Sequence, residues 1–442
     1  MRHGLTEVAP LTKWRSFLRT YLEVKMGEIE LLLLEITIVL TTTLLCGWLA
    51  RKLGQSRVIG EIAGGILLGP SLFGRLAPRV SALLFPQGSI ASLEVLSTIG
   101  LILFVFLIGS RLDLEHLKQQ KTTAALASGM SILLPCAMAA VIAPPLRTLF
   151  APSTVKGFPF FLFLGVSMSI TAFPVLARIL EQRGLLTSRL GSTALMCAAV
   201  DDVGAWILLA FGLPLVSPAD QGMSPTSRLI YLALYLLVMF GVLFPLSRRY
   251  TRQQLQHEFS ALSYELLAIL ILGVLASAAA TDAIGVHPLF GAFVAGLCFP
   301  RIPKWQATLS LQFDLIVSTL LLPFFFVLTG MRTRLDLLNS GTIWRWTTIV
   351  IAVSVAGKMG GAVLAARWTG ESWNNAFALG ALLNTRGLVE LIVLNVAYEA
   401  HVFSSTLFTM FVAMAFVTTM MTTPLLNMLG VGLDSKNSYT EQ

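Results

Sequence analysis

The chain has 442 residues, of which 55% are hydrophobic and only 12% are charged. Soluble domains carry about 25% charged residues, so this composition excludes an ordinary soluble protein and predicts a polytopic membrane protein. The net charge of +8 could indicate a nucleic-acid-binding surface. Most of the basic residues, however, lie in short segments between apolar runs, which favours a role in membrane orientation. We therefore expect a lipid bilayer around the chain and no nucleic-acid partner.

Thirteen apolar segments predict an all-α membrane domain over residues 31–429. About 20 apolar residues cross a bilayer as one helix, and segments of that kind follow one another along this range. We expect an N-terminal tail or interfacial helix over residues 1–30 and a short polar tail over residues 430–442. The predicted spans are 31–50, 58–74, 89–110, 122–146, 157–182, 188–216, 227–247, 263–285, 287–299, 306–331, 344–368, 373–400 and 403–429.

Two motifs recur seven spans apart. The second span reads GGILLGP from Gly64, and the ninth reads GAFVAG from Gly291. The third span ends in FLIGSRLDL around Gly109, and the tenth ends in VLTGMRTRLDL around Gly330. Because seven is odd, the two copies would face opposite ways across the membrane. This pattern predicts two inverted six-helix repeats, a construction typical of secondary transporters. Chance recurrence of small residues at helix contacts is the alternative.

The basic residues are distributed unequally between the two sides of the membrane. Counted with their flanking residues, the loops and the C-terminal tail on the side opposite the N-terminus carry 16 Lys and Arg, and the loops on the N-terminal side carry 8. Five more lie in the N-terminal tail. Since cytoplasmic loops carry the excess, we expect the N-terminus outside and the C-terminus in the cytoplasm, in an inner or plasma membrane.

Asp201 and Asp202 lie near the middle of the sixth span. A charge at that depth costs at least about 2.5–3.5 kcal/mol, so two adjacent carboxylates need a function. Successive helix residues point in different directions, so one carboxylate can face a fixed cation while the other faces a water-filled cavity. Hydrogen bonding between packed helices is the alternative, but Asn or Ser would provide it at lower cost.

Lys358 lies in the middle of the eleventh span, next to Gly357. A lysine near a helix end can extend its ammonium group to the membrane surface, but this position is too deep for that. A buried lysine requires a buried carboxylate, and the aspartate pair is the best candidate.

Two spans are interrupted by polar or helix-breaking residues. The fifth contains Ser169, Thr171 and Pro174, and the twelfth contains Asn384 and Thr385. A proline inside a span removes a backbone donor and frees carbonyl groups, although it can also produce a simple kink. Interrupted helices at matching positions of two repeats predict a transport site, where free carbonyls and helix ends coordinate a small cation.

Arg386 and Glu390 complete the polar segment of the twelfth span. Their spacing allows an ion pair between positions i and i+4, which could serve only to stabilise the helix.

Three of these segments together resemble the monovalent cation:proton antiporter-2 family, and especially its cation/proton exchanger branch. They read SITAFPVLARIL from Ser169, DDVGAWILL from Asp201 and NTRGLVELIVLN from Asn384. The second span, which reads GEIAGGILLGP from Gly60, is also similar to this family. The resemblance covers residues 31–429. It implies a core with two crossing interrupted helices that moves against a dimerisation domain, and a homodimer with spans 1, 2, 8 and 9 near the interface.

The resemblance also implies roles for the site residues. Asp202 would bind a proton and a metal cation, Na⁺ or K⁺, in competition, and Asp201 would pair with Lys358. Thr171 and Thr385 match the two crossing points.

We therefore predict a secondary active antiporter that exchanges a monovalent cation for protons by alternating access. A sodium-coupled symporter of an organic anion, with Arg386 on the anion, and a cation channel remain alternatives. The sequence predicts no cofactor, and it lacks the Ser/His, Cys/His or metal-ligand spacings that an intramembrane enzyme would need.

Overall fold

The structure, a computed structural model, describes residues 27–53, 55, 57–111, 123–185, 188–216, 225–256, 264–300, 302–309 and 313–432. Within these ranges every regular element is helical. The predicted N-terminal tail lies outside the described residues up to position 26, and its last residues already belong to the first helix. The C-terminal tail lies outside them from position 433.

Twenty α-helical segments follow one another along the described chain. They are α1 Glu28–Lys52, α2 Arg57–Leu68, α3 Phe73–Leu76, α4 Pro78–Leu84, α5 Gln87–Arg111, α6 Thr123–Phe150, α7 Gly157–Ser169, α8 Phe173–Gln182, α9 Arg189–Val216, α10 Pro225–Val238, α11 Phe244–Gln256, α12 Tyr264–Ile284, α13 Pro288–Cys298, α14 Pro303–Thr308, α15 Asp314–Ile316, α16 Leu322–Arg332, α17 Gly341–Trp368, α18 Trp373–Leu383, α19 Leu388–Glu399 and α20 Ser405–Met428. Two π-helical turns, Met239–Leu243 and Val317–Leu321, join α10 to α11 and α15 to α16.

Eight of the described helices are long and apolar enough to cross a bilayer, and α18 with α19 makes a ninth if this pair, bent by 44°, is one span. The apolar helices α7 and α13 are shorter. The all-helical membrane fold predicted from the sequence is therefore confirmed. The count of thirteen spans stays a prediction.

Several boundaries differ from the predicted ones because proline and glycine end helices earlier than the apolar pattern does. The second span was predicted to reach residue 74, but α2 ends at Leu68, directly before Gly69 and Pro70. Pro78 then begins α4 in a stretch predicted to be a loop. In the opposite direction, the helical segment predicted over 227–247 continues to Gln256.

The helices pack into two bodies. We call α6–α9 and α17–α20 the site body, and we call α1, α2, α5, α10–α13 and α16 the flanking body. Within the site body α6 packs along α17, and within the flanking body α5 packs along α13 and α2 along α16. Each body has an apolar cluster of its own, and a third, larger cluster extends across both. The shared surface between the bodies is therefore mostly apolar.

Glycine pairs allow the closest helix crossings in the flanking body. A Cβ atom on Gly65 of α2 would lie 2.3 Å from the carbonyl oxygen of Val327, and one on Gly330 of α16 would lie 2.3 Å from that of Ile62. Gly109 of α5 and Gly296 of α13 form a second crossing in the same way. These glycines belong to the motifs that suggested an inverted repeat. The matched crossings agree with that prediction but do not decide it.

Candidate functional site

Two helices of the site body are each broken into two segments. The first break, residues 170–172, separates α7 from α8, and Pro174 lies in the first turn of α8. A proline at this position cannot donate to the carbonyl four residues earlier, that of Ile170, which is where α7 stops. The break therefore precedes Pro174 instead of centring on it. The second break, residues 384–387, separates α18 from α19.

The two breaks cross in direct contact. The backbone N–H of Ala172 donates to the carbonyl oxygen of Thr385 at 2.9 Å, and Thr171 Oγ1 lies 2.8 Å from the carbonyl oxygen of Leu383. A Cβ atom on Gly387 would lie 2.7 Å from Val175 Cγ2, so this position needs glycine for the crossing to be this close. Donors in the first break thus bind carbonyl oxygens that the interruption of α18 leaves without an intrahelical partner.

Asp201 of α9 is held by donors from three directions. Ser128 Oγ of α6 donates to its Oδ1 at 3.0 Å, and Thr171 Oγ1 lies 2.7 Å from its Oδ2. Lys358 Nζ of α17 lies 2.5 Å from the same Oδ2, and both side chains of this ion pair are fully buried. Ser131 Oγ lies 3.5 Å from both carboxylate oxygens. The charge of Asp201 is therefore balanced within the protein.

Lys358 also connects the acid to the broken helix. Its ammonium group donates to the carbonyl oxygen of Ser169, the last residue of α7. The Ser169 hydroxyl turns back along its own helix and donates to the carbonyl oxygen of Gly165 at 2.6 Å. A cation at the C-terminal end of a helix compensates the negative end of the helix dipole. Lys358 thus stabilises both a carboxylate and a helix end.

Asp202 has none of these contacts. Its side chain is 0% exposed, and neither carboxylate oxygen has a hydrogen-bond partner among the described residues. The side chain of Asn384, in the second break, is likewise 0% exposed and unpaired there. Unpaired buried polar groups are rare in proteins, and each one calls for an explanation. A carboxylate oxygen and an amide oxygen are both suitable ligands for a small cation.

Arg386 lies in the second break and reaches across to the end of α7. Its Nη1 donates to the carbonyl oxygen of Ser167 at 2.6 Å, and its Nη2 donates to that of Met168 at 2.7 Å. The predicted ion pair with Glu390 is present, but it is longer, at 3.4 Å. Because α19 begins at Leu388, the two residues do not share one helix as the prediction assumed. The guanidinium of Arg386 mainly satisfies carbonyls freed by the first break.

Thr385, predicted to lie at a crossing point, is placed there by its backbone. Its hydroxyl lies 3.2 Å from Thr422 Oγ1 of α20. The side chain of Thr385 therefore faces the packing between α18 and α20, and its carbonyl oxygen faces Ala172.

The buried charged side chains of the site leave one negative charge uncompensated. Among the described residues, three buried carboxylates, those of Asp201, Asp202 and Glu390, lie with two buried cations, Lys358 and Arg386. With every group in its ionised form the sum is −1. A single proton or a single monovalent cation therefore neutralises the cluster. Asp202 is its member without a partner in the described part of the chain.

Ser128 and Ser131 on α6 were not identified from the sequence. Serines are frequent at contacts between membrane helices, so neither residue was distinguishable by type. Their spacing of three places both on one face of α6, and α6 packs against the helix that carries Lys358. The two serines could be assigned to the site only once the packing of α6 against α17 was known.

Comparison with known proteins identifies the family. The sodium/hydrogen exchanger transmembrane family matches residues 40–428, which is most of the chain. The chain belongs to this family. Because the family consists of transporters, this membership excludes the interpretation as an intramembrane enzyme.

Several relatives support this membership of the exchanger family. The chain is 39% identical over 398 residues to the Na⁺/H⁺ antiporter NhaS4 of Synechocystis and covers 96% of that protein. It is 40% identical over 399 residues to cation/H⁺ antiporter 17 of Arabidopsis thaliana and 34% identical over 376 residues to K⁺/H⁺ antiporter 1 of Saccharomyces cerevisiae. The chain spans 48% and 43% of these two relatives, about half of their length.

The exchanger fold is also found in a solved structure. The sodium proton antiporter MjNhaP1 of Methanocaldococcus jannaschii superposes with a TM-score of 0.62, covering 90% of this chain and 97% of that one. The two sequences are only 17% identical, so this similarity shows a common fold and nothing more specific.

Proposed function

We propose that the protein is a secondary active antiporter that exchanges a monovalent cation, Na⁺ or K⁺, for protons by alternating access. The observation that carries this proposal is Asp202, a fully buried carboxylate that has no counter-ion among the described residues and lies beside a compensated acid. The names of related proteins, which include Na⁺/H⁺ and K⁺/H⁺ antiporters, support the same class of substrate.

Exchange follows from the charge of the site. When Asp202 is protonated the cluster is neutral and can change its exposure without a metal ion. When Asp202 is ionised the cluster carries −1, and moving an uncompensated charge through the membrane is costly. A bound cation removes that cost. Since proton and cation compete for one carboxylate, only the loaded forms cross, and the two fluxes are coupled.

The groups around Asp202 would set the coordination of the cation. We propose that its carboxylate and Asn384 supply oxygen ligands, with the crossing of α7–α8 and α18–α19 beside them. Asp201, Lys358 and Thr171 would position this arrangement. Thr171 has a single hydroxyl hydrogen but two acceptors in reach, Asp201 Oδ2 and the Leu383 carbonyl oxygen. If the Thr171 hydroxyl exchanged one acceptor for the other, a change at Asp201 would be transmitted to the end of α18.

The alternatives receive less support from the site. A symporter of an organic anion would use Arg386, but both of its terminal nitrogens already bind carbonyl oxygens. A channel would need a continuous path, whereas the site residues are buried.

The experiment that tests the function is cation-driven proton movement in reconstituted vesicles. A pH gradient is imposed, Na⁺, K⁺, Li⁺ or Rb⁺ salts are added separately, and a pH-sensitive dye reports the internal pH. An antiporter dissipates the gradient on addition of the cation alone. A requirement for an added organic anion would identify a symporter, and cation current without proton movement would identify a channel.

We also propose a homodimer in an inner or plasma membrane, with the N-terminus outside. The helices expected at the dimer interface, α1, α2, α12 and α13, all belong to the flanking body. On α1 the large side chains of Leu44, Leu45 and Trp48 are exposed in the single chain. Native mass spectrometry in mild detergent tests the dimer, and a purely monomeric protein would contradict it.

A further inference from the structure

A polar cluster joins the two bodies where α16 and α19 end. At its centre is Arg332, the last residue of α16. Its Nη1 lies 2.7 Å from Glu399 Oε1 and 2.7 Å from Asn395 Oδ1, both on α19 of the site body. Its Nη2 lies 2.8 Å from Glu94 Oε1 on α5 of the flanking body. One guanidinium therefore holds a carboxylate of each body.

Neighbouring hydrogen bonds cross the same boundary. Asn395 Nδ2 donates to Thr329 Oγ1 of α16 at 3.0 Å. The backbone N–H of Arg334 donates to Thr409 Oγ1 of α20 at 3.1 Å. Elsewhere the surface shared by the bodies is largely apolar. An apolar surface allows helices to slide, whereas directional hydrogen bonds of this kind define one relative position.

A cavity of about 250 Å³ adjoins this cluster between the two bodies. The flanking body contributes Glu94, Ser97 and His287, and the site body contributes Asn395, Val396 and Glu399. Nδ1 of His287 accepts a hydrogen bond from the backbone N–H of Leu289 at 3.3 Å, so the ring is neutral in this arrangement. The charged groups of the lining are thus two carboxylates and the guanidinium between them.

We propose that Arg332 is a latch that holds α19 against α5 and α16 in this conformer. The inference rests on the proposed function, because alternating access requires the site body to move relative to the flanking body. Such a movement must break the contacts of Arg332 with Glu399 and Asn395. The contact with Glu94 stays within the flanking body and can persist throughout the cycle. The latch therefore sets the fraction of protein molecules that occupy this conformer.

The two glutamates provide a matched pair of variants. In Glu399→Gln the ion pair across the boundary is lost, and in Glu94→Gln the ion pair within the flanking body is lost. Each change removes one negative charge from the same cavity and from the same arginine. The exposed fractions of the two side chains are also similar, 51% for Glu399 and 44% for Glu94. A difference in behaviour between the two variants must therefore come from the loss of the contact between the two bodies.

Movement of α19 can be measured through Val396, which lines the cavity and is only 3% exposed. Val396→Cys is introduced into the full chain in lipid nanodiscs, and its reaction with N-ethylmaleimide is followed at the peptide that carries it. Mass spectrometry of that peptide excludes the native cysteines. We expect Glu399→Gln to accelerate labelling by roughly two- to five-fold, the range for a partly exposed ion pair, and Glu94→Gln to leave the rate unchanged.

The result decides between a latch and a local charge effect. Equal acceleration in both variants, or none in either, overturns the latch. If Val396→Cys melts below the unmodified chain, Ser97→Cys on the opposite wall of the cavity replaces it as reporter. Cation-driven exchange of the unmodified chain is measured in parallel. Its absence would refute the proposed function, while the labelling comparison would still decide the latch.

Discussion

Asp201 and Asp202 are neighbours in the sequence, yet their surroundings differ in every contact that bears on charge. Asp201 binds a lysine and three hydroxyl groups, whereas Asp202 has no hydrogen-bond partner among the described residues. The helix explains this difference, because successive residues point about 100° apart around its axis. Asp201 consequently faces α6 and α17, and Asp202 faces another direction.

The first prediction separates the roles of the two acids. Asp202→Asn retains the size of the side chain but removes the group that titrates, so it should abolish cation-driven proton movement without lowering the melting temperature. Asp201→Asn should reduce exchange without abolishing it, because Asp202 remains. Vesicle assays with and without an imposed membrane potential provide the measurement. Normal transport by Asp202→Asn together with an inactive Asp201→Asn would reverse the assignment.

The second prediction concerns the buried ion pair of Lys358. In Lys358→Ala the carboxylate of Asp201 and the carbonyl of Ser169 both lose a donor in a fully buried site. Removal of one partner from a fully buried pair costs about 3–5 kcal/mol, so the variant should melt at a lower temperature in detergent. Asp201→Asn in the same chain should restore part of the loss. Strictly additive effects in the double variant would show that the two residues do not interact.

The individual site residues could be predicted to different extents from the sequence. Asp201, Asp202 and Lys358 stand out because an ionisable residue deep in an apolar span is costly. The serines of α6 and the carbonyl groups of α7 do not stand out, since their importance depends on which helices pack together. Arg386 was identified as a charged residue, but its partners across the break require the three-dimensional crossing.

At the scale of the helices, glycine determines how closely α2 and α16 approach. Both Gly65 and Gly330 lie where an added Cβ would overlap backbone atoms of the other helix. Backbone cannot yield as a flexible side chain can, so the whole crossing would have to open. Both glycines lie in motifs that recur along the sequence. The pairing of Gly65 with Gly330 could not be predicted, because the spacing alone does not define the partner helix.

The third prediction tests this crossing with a substitution of one methyl group. Gly330→Ala should destabilise the protein by about 1–3 kcal/mol, because extra volume in a tightly packed contact forces the helices apart. Gly273→Ala is the control. It lies inside α12 with no atom within 4 Å of the added Cβ, and alanine is the better helix former. Thermal unfolding in detergent compares the two, and equal stability of both variants would contradict the prediction.

The broken helices show where sequence patterns lose accuracy. The sequence predicts two interrupted helices over 157–182 and 373–400, and both ranges do contain a break. The first break, however, lies at residues 170–172, just before Pro174, because the proline is accommodated in the first turn of the following helix. At the second break, a Cβ atom added to Gly387 would lie 2.7 Å from Val175, on a helix more than two hundred residues earlier in the chain.

At the scale of the whole molecule, orientation relates the latch to the two membrane faces. The orientation predicted from the basic residues would place the loop between α6 and α7 outside and the region of α11 in the cytoplasm. In that orientation the ends of α16 and α19 would lie on the outer side. The Arg332 cluster would then control access between the outer solution and the site.

The fourth prediction tests this orientation with two exposed positions. Thr154 lies between α6 and α7, and Arg249 lies in α11, and both are exposed. In intact cells a membrane-impermeant maleimide should label Thr154→Cys and leave Arg249→Cys unlabelled until the membrane is permeabilised. Peptide-level mass spectrometry separates each new thiol from the four native cysteines. The reverse pattern would invert the topology and place the latch on the cytoplasmic side. Release of Arg332 from Glu399 would then govern access from the cytoplasm instead.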